Sequence, residues 1–295
     1  MSPLNDRLER LKPILVCPRC RKALIFSAES AECRQCPARY PIRNGKLIVS
    51  ERPASPDRLD DVKGRLKKRL GNAYYKIGVD ILAPTYPFDY AGRIRSYLDP
   101  AHQIVVDLGC GNHRIDPNVI GLDGADYDAV DIVCDLGHLP FRAESVDAFV
   151  SRSVLEHVRH PEAVVRQLYR QTRRGGLGLH LVPFLFPFHA SPLDFQRYTH
   201  EGLRELFREW TVVDQTNPTG PVSLMLLAVI ECLAVLLSLG RPVLKAHLYL
   251  MLCALLFPIK FLDVFFVNRP GFLTMAPTIL TVVQKNEARS SASPG

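Results

Sequence analysis

The sequence predicts an α/β fold built on a largely parallel sheet of the Rossmann type, and three observations carry that prediction. The run from Ile104 to Asn112, IVVDLGCGN, reads as a buried strand that ends in an acid and a Gly-x-Gly turn. Two more short apolar runs follow, 119–123 and 129–135, closing on Asp123 and Asp135. Beyond them lie a fourth strand over 145–151, a helix opened by Pro161 and stopped by Arg173-Arg-Gly-Gly176, and a fifth strand over 177–182. Strands that alternate with helical stretches in this way build parallel βαβ units.

Each element has a local reason. Gly109 and Gly111 carry no Cβ, so the turn after the first strand lets a ligand approach the backbone. A nicotinamide-type loop would read G-x-G-x-x-G, with a helix whose amino end holds a pyrophosphate. Here the third glycine position is Arg114. Only seven residues separate Gly111 from Val119, Pro117 among them, so the usual first helix of about three turns does not fit. That wall must be a short turn, or come from another segment. Residues 210–214 read as a sixth strand and 278–284 as a seventh, antiparallel one.

The ordered set is more specific than any member of it. D-L-G-C-G, then Asp123, then Asp135 with L-P-F after it, then V-L-E-H-V over 154–158, then the R-G-G stop resembles the class I S-adenosylmethionine (SAM) methyltransferases of the type 11 kind, over roughly residues 104–207. The resemblance implies a seven-stranded Rossmann-like sheet and SAM as cofactor. It places Asp107, Gly109 and Gly111 at the cofactor loop, Asp123 on the ribose hydroxyls, Asp135 and the backbone of Leu136 at the adenine, and Ser151 at the cofactor-facing end of the fourth strand.

Cys17-Pro-Arg-Cys20 and Cys33-Arg-Gln-Cys36 are two C-x-x-C pairs twelve residues apart. Two such knuckles supply four thiolates to one tetrahedral zinc, which would be structural because no coordination position stays open. A redox pair is the alternative, and it needs one C-x-x-C rather than two. The segment resembles the zinc-ribbon activator subunit of certain tRNA and release-factor methyltransferases. About fifty residues are too few for a good core, so the metal is expected to fold them. The other cysteines, Cys110, Cys134, Cys232 and Cys253, read as packing residues.

The expected division is a ribbon over 1–52, a linker and basic helix over 53–98, the methyltransferase core over 99–217, an apolar insertion over 218–277, the last core strand over 278–287 and a disordered tail over 288–295. A net charge of +7 suits nucleic acid or an anionic membrane surface and does not choose between them. The basic stretch 58–70 fits either partner, or a solvated helix face. Met1 to Lys12 is too polar for a signal peptide, and eight cysteines without one argue for a reducing compartment. The insertion holds two apolar runs, 222–239 and 243–267, each just long enough to span a bilayer. Glu231, Lys260 and Asp263 make a span costly, so a hairpin lying in the interface and a soluble packed cap remain open.

Methyl transfer from SAM asks for alignment of the acceptor, and a hydroxyl acceptor also asks for a base. The aromatic, polar-studded stretch 183–198 leaves the fifth strand at the cofactor edge. His189 is the base candidate with Asp194 as its orienter, His157 is the rival base, and Arg197 and Tyr198 are candidate substrate contacts. No N-P-P-Y loop is present, which favours oxygen as the acceptor atom. The reading is a SAM-dependent methyltransferase acting on a hydrophobic or lipid-linked acceptor on the cytoplasmic side of a membrane, peripheral or hairpin-anchored. The alternatives are a zinc-ribbon RNA methyltransferase and a catalytically silent scaffold on the same fold.

Overall fold

The computed structural model describes residues 3–50, 81–188 and 193–286, and residues 69 and 78 singly. The basic stretch 58–70, apart from Arg69, and His189 fall outside the described residues.

Seven strands form the expected sheet: β5 (Val105–Leu108), β6 (Ile120–Asp123), β7 (Ile132–Val133), β8 (Val146–Arg152), β9 (Thr172–Pro183), β10 (Thr211–Thr216) and β11 (Thr278–Gln284). Their order is β7-β6-β5-β8-β9-β11-β10, with β11 antiparallel to both neighbours and the rest of the sheet parallel. The last two strands therefore sit as the sequence predicts. The acids Asp107, Asp123 and Asp135 all gather at the carboxyl edge, where three parallel strands end side by side.

Residues 109–119 contain no helix. One face of the sheet is covered in part by α1 (Pro3–Leu11) at the amino terminus. Leu8, Leu11 and Leu15 are buried in one cluster with Val106, Leu108, Ile120 and Leu122, with Val164 and Leu168 of α3 (Pro161–Gln171), and with Leu203 of α4 (His200–Leu206). The alternate residues of the strands, among them Val105, Ala148 and Val150, pack on the opposite face under Tyr90 and Ile94 of α2 (Tyr90–Arg95). Two-sided burial explains why these strands read as unbroken apolar runs.

The cysteine ribbon does not stand apart. Its strands β1 (Leu24–Phe26), β2 (Ser30–Cys33), β3 (Arg39–Arg43) and β4 (Lys46–Ile48) form an antiparallel run that continues the main sheet, because β4 pairs in parallel with β7. Leu47 is fully buried there. The described part of the ribbon, through β4, is thus continuous in packing with the main sheet. A small ribbon buries its apolar residues most cheaply against an existing sheet edge.

One buried carboxylate ties these parts together. Asp131, fully shielded from solvent, accepts from Arg7 Nε at 2.9 Å, from both terminal nitrogens of Arg114 at 2.9 and 3.1 Å, and from the backbone N–H of Gly121 at 2.8 Å. Arg114 also donates to the Val119 and Ala129 carbonyls. The residue in the third glycine position is therefore the clamp that closes the short loop where a helix is missing.

The insertion is a helical hairpin of α5 (Pro221–Ser238) and α6 (Pro242–Leu256), continued by tight helical turns over Phe257–Phe265 and Pro270–Met275. It leaves β10 at the carboxyl edge of the sheet, as expected from the strand direction. Its base is clasped. Asp263 accepts from the Val222 and Ser223 backbone N–H groups and from the Ser223 hydroxyl, capping α5 from across the hairpin. Gly220, at φ +82°, is the only kind of residue that fits, since a Cβ there would lie 2.2 Å from Asp263. Lys260 is fully buried and donates to the Ile81 and Ala83 carbonyls at 2.8 Å each. Glu231 pairs with Lys245 between the two helices. The charges that made a bilayer span look costly are thus committed to the clasp and to a cross-helix pair. Cys232, expected to pack, is exposed on α5.

Candidate functional site

The glycine turn separates two jobs. Gly109 has φ +63°, and a Cβ on it would come within 2.6 Å of Val154, so this glycine serves close packing of the loop on the turn after β8. Gly111 has φ +57° and open space where its Cβ would be. It is the position that can lie against a ligand. Asp123 Oδ2 accepts from Gly111 N at 2.9 Å and its Oδ1 from Ala125 N at 2.9 Å. Each oxygen keeps a lone pair, so the carboxylate can still receive two ribose hydroxyls.

Asp107 is 3% exposed at the end of β5. Burial pushes its carboxyl up to about 8, against the opposing pull of the Arg152 guanidinium. Asp135 caps the short turn Leu136–His138 by accepting from Gly137 N at 2.7 Å, and its own N–H donates to Ser50 Oγ at 2.8 Å. Ser50 follows β4, so the cysteine ribbon reaches the expected adenine end of the site. Leu136 is half-buried beside it. Gly111, Asp123, Asp135 and Leu136 therefore lie along one edge of the sheet.

Ser151 does not join that edge through its side chain. It is fully buried, and its hydroxyl is 2.9 Å from Nδ1 of His180 inside the sheet. Burial holds the His180 ring down to about 3, so it stays neutral, stacked on Phe207. A hydroxyl on the inward face of a central strand has no route to the cofactor.

The stretch after β9 is also rearranged relative to expectation. Asp194, read as the orienter of His189, forms a two-pronged ion pair with Arg197. Arg197, read as a substrate contact, donates in addition to the carbonyls of Phe186 and Pro187. A planar guanidinium offers five donors, and here they clasp the loop instead of facing outward. Tyr198 donates to Gln196 Oε1 at 2.7 Å, and Gln196 reaches the Val158 carbonyl at 2.9 Å. His157 is held more suggestively. Its Nδ1 is 2.6 Å from the Leu193 carbonyl, which can only accept, so Nδ1 carries the proton; Nε2 is 3.7 Å from the buried carboxyl of Glu156. Sequence reasoning missed Ser50, Arg152 and Ser153. Ser153 sits at φ +54° beside the glycine loop, a conformation that non-glycine residues rarely adopt. None of the three has a local sequence signal.

The thiols of Cys17, Cys20, Cys33 and Cys36 all lie within 4.8 Å of one another. The Cys17–Cys36 separation is 3.7 Å, close to the roughly 3.8 Å edge of a tetrahedron with Zn–S bonds of about 2.3 Å. The donor set suits a zinc ion, and no disulfide competes for it.

Strand order, glycine turn and the three edge acids define a class I methyltransferase fold of the Rossmann-like α/β type. Residues 106–179 match the family model described as a methyltransferase domain, so the chain carries a methyltransferase domain. A curated relative is tRNA (carboxymethyluridine(34)-5-O)-methyltransferase alkbh8 of Xenopus tropicalis, 31% identical over 137 residues, which are 41% of this chain and 19% of that one. The chain therefore spans about a fifth of the length of the curated relative that it matches. Solved structures of similar fold include the complex between the Haloferax volcanii Trm112 methyltransferase activator and a methyltransferase, at 16% identity, covering 78% of this chain and 96% of that one with TM-score 0.41. Another is Haemonchus contortus phosphoethanolamine N-methyltransferase 2 with S-adenosyl-L-methionine, at 15% identity, 68% and 52% coverage and TM-score 0.44.

Proposed function

We propose that the protein is a SAM-dependent methyltransferase that works at a membrane surface and methylates an oxygen on a hydrophobic or lipid-linked acceptor, with a structural zinc in the four-thiolate cluster. The observation that carries the membrane part is the hairpin. Two helices long and apolar enough to cross a bilayer, 221–238 and 242–265, leave the sheet at the same edge as the glycine turn. Helix α5 is about 27 Å long against a hydrocarbon core of about 30 Å. Its tip is bare: Leu239 is 84% exposed and Val243 71%. A soluble acceptor gains nothing from such a surface, whereas a lipid-borne one is concentrated on it in two dimensions.

When bound, SAM supplies a methyl group on a sulfonium. A hydroxyl acceptor that took this methyl would have to give up its proton, and the chain must supply a receiver for it. Among the described residues His157 suits this role, because fixing Nδ1 as the donor leaves Nε2 with a lone pair. An RNA acceptor is the second reading. It is favoured by the tRNA enzyme that shares 31% identity with part of the chain.

Two measurements test this. Asp107 is held neutral up to about pH 8 by burial, and a cationic cofactor beside it favours the ionised form. SAM binding is then expected to release a proton, and affinity to rise about tenfold per pH unit up to pH ~8 and level off above it. Calorimetry in two buffers of different ionisation enthalpy reads the proton; a pH-independent affinity would place Asp107 away from the cofactor. For the membrane, Leu236→Glu with Val243→Glu puts two charges on exposed positions of the hairpin. Each charge costs about 2.5–3.5 kcal/mol near the bilayer centre. Vesicle co-sedimentation is expected to fall at least tenfold with SAM binding unchanged. A wild-type protein that stays monodisperse and ignores vesicles makes the hairpin a packed cap.

A further inference from the structure

Arginines on the surface of this chain commonly have acids beside them. Arg173 is 2.6 Å from Asp147, Arg208 3.0 Å from Glu205, and Arg39 3.2 Å from Glu32. Others do not, and four of these stand together. Arg21, Arg142, Arg166 and Arg170 line a cleft of about 640 Å³ between the cysteine ribbon and α3, with His138 among them and no carboxylate among the described residues of its lining. Among the described residues, none of these four guanidiniums is in an ion pair.

The cleft is built, not incidental. Its floor is the segment 137–143. On the ribbon side Val16 N donates to the Pro140 carbonyl at 2.7 Å, and Arg142 N to the Ile14 carbonyl at 2.8 Å. The Arg21 guanidinium is pinned by the Leu139 and Phe141 carbonyls. On the helix side Gln167 and Gln171 donate to the Leu136 and Leu139 carbonyls. Both walls are therefore fixed to one floor. Arg166 and Arg170 stand one turn apart on the same face of α3, about 6 Å along its axis. Four like charges held together repel one another unless an anion joins them, and the guanidinium fork matches phosphate oxygens in pairs.

The occupant follows from size and lining. The volume lies in the range of small-ligand sites, about 300–1,000 Å³. Among the described residues of the lining there is no Phe, Tyr or Trp, and the His138 imidazole is the one aromatic ring for a base to stack on, which disfavours single-stranded nucleic acid. We propose that this cleft is a binding site for a phosphate-bearing small ligand, with a diphosphate ester the best match for four guanidiniums. It lies on the face of α1 and α3, while the hairpin base is clasped to residues 81–86 leading into α2 on the other face. The proposal does not rest on the membrane reading. The diphosphate is either a free metabolite or the headgroup of a single lipid.

Calorimetry of the full-length protein with inorganic pyrophosphate tests it. Wild type is expected to bind one pyrophosphate per chain. Arg166→Ser with Arg170→Ser should weaken binding at least tenfold, and Arg204→Ser with Arg208→Ser, an equal charge change elsewhere, should leave it unchanged. Equal loss in both double variants, or no binding at millimolar pyrophosphate and physiological ionic strength, overturns the site. Vesicles carrying a diphosphate lipid in phosphatidylcholine identify the source: lipid-dependent capture that pyrophosphate displaces supports the headgroup, and its absence alongside pyrophosphate binding supports the free ligand. A structured RNA hairpin that binds through the same arginines and is not displaced by pyrophosphate overturns the proposal in favour of nucleic acid.

Discussion

Asp131→Ala is expected to lower the unfolding free energy by about 3–5 kcal/mol, the cost of leaving buried charge without its partner. Against a total of about 5–15 kcal/mol for a typical domain, that is enough to unfold much of the protein. The reason is the density of dependence on one carboxylate. Arg7 brings α1 to the sheet through it, Arg114 closes the helix-free loop through it, and Gly121 N in β6 is satisfied by it. Removing it strands one guanidinium that is nearly buried and a second that is mostly so. Asp131→Asn keeps an acceptor for Gly121 but loses the charge, so it should fall between wild type and alanine. Urea unfolding measures all three. A loss below 1 kcal/mol for alanine would mean that α1 and the loop hold without this hub.

Stripping the metal from the four-thiolate cluster is expected to have an equally large effect, and to reach the cofactor. Structural zinc sites contribute on the order of 10–16 kcal/mol to folding of small peptides. Here the ribbon is one end of the main sheet, since Leu47 and Ile48 pair with Ile132 and Val133. Its exit places Ser50 on the N–H of Asp135. Chelation should therefore lower the melting temperature of the whole chain and weaken SAM binding, with one zinc per chain released. Cys33→Ser should reproduce both effects. A chelated protein that melts and binds SAM as before would show that the ribbon folds without metal.

Much of the site was legible in the chain itself. Asp107, Gly111, Asp123 and Asp135 can be placed at the carboxyl edge from the sequence because parallel strands buried on both faces must be apolar until they end. An acid or glycine at that point marks the edge. The four cysteines were found because tetrahedral coordination dictates a spacing. The clasp residues of the hairpin have a role that the linear chain does not show. Lys260 and Asp263 read there as charges that make a bilayer span costly, and they become anchors of the hairpin base once residues 81–86 and the start of α5 arrive beside them.

The sequence by itself determined the sheet, its order and the edge where chemistry gathers, because strand period, terminal acids and turn glycines are local signals. The tertiary structure alone decided that α1 packs on the sheet face it shares with α3, that the ribbon continues the sheet, that Asp194 clasps Arg197, and that four arginines without an ion pair among the described residues meet in one cleft. All but the Asp194–Arg197 pair, which is three residues apart, depend on partners far apart in the chain: 121 to 149 residues from Arg21 to the other arginines of the cleft, and 124 for Arg7 and Asp131. A side chain has many possible distant partners and no sequence pattern that selects one. Burial makes the selection, because a charge removed from water must be met by whichever group the fold brings within hydrogen-bonding distance.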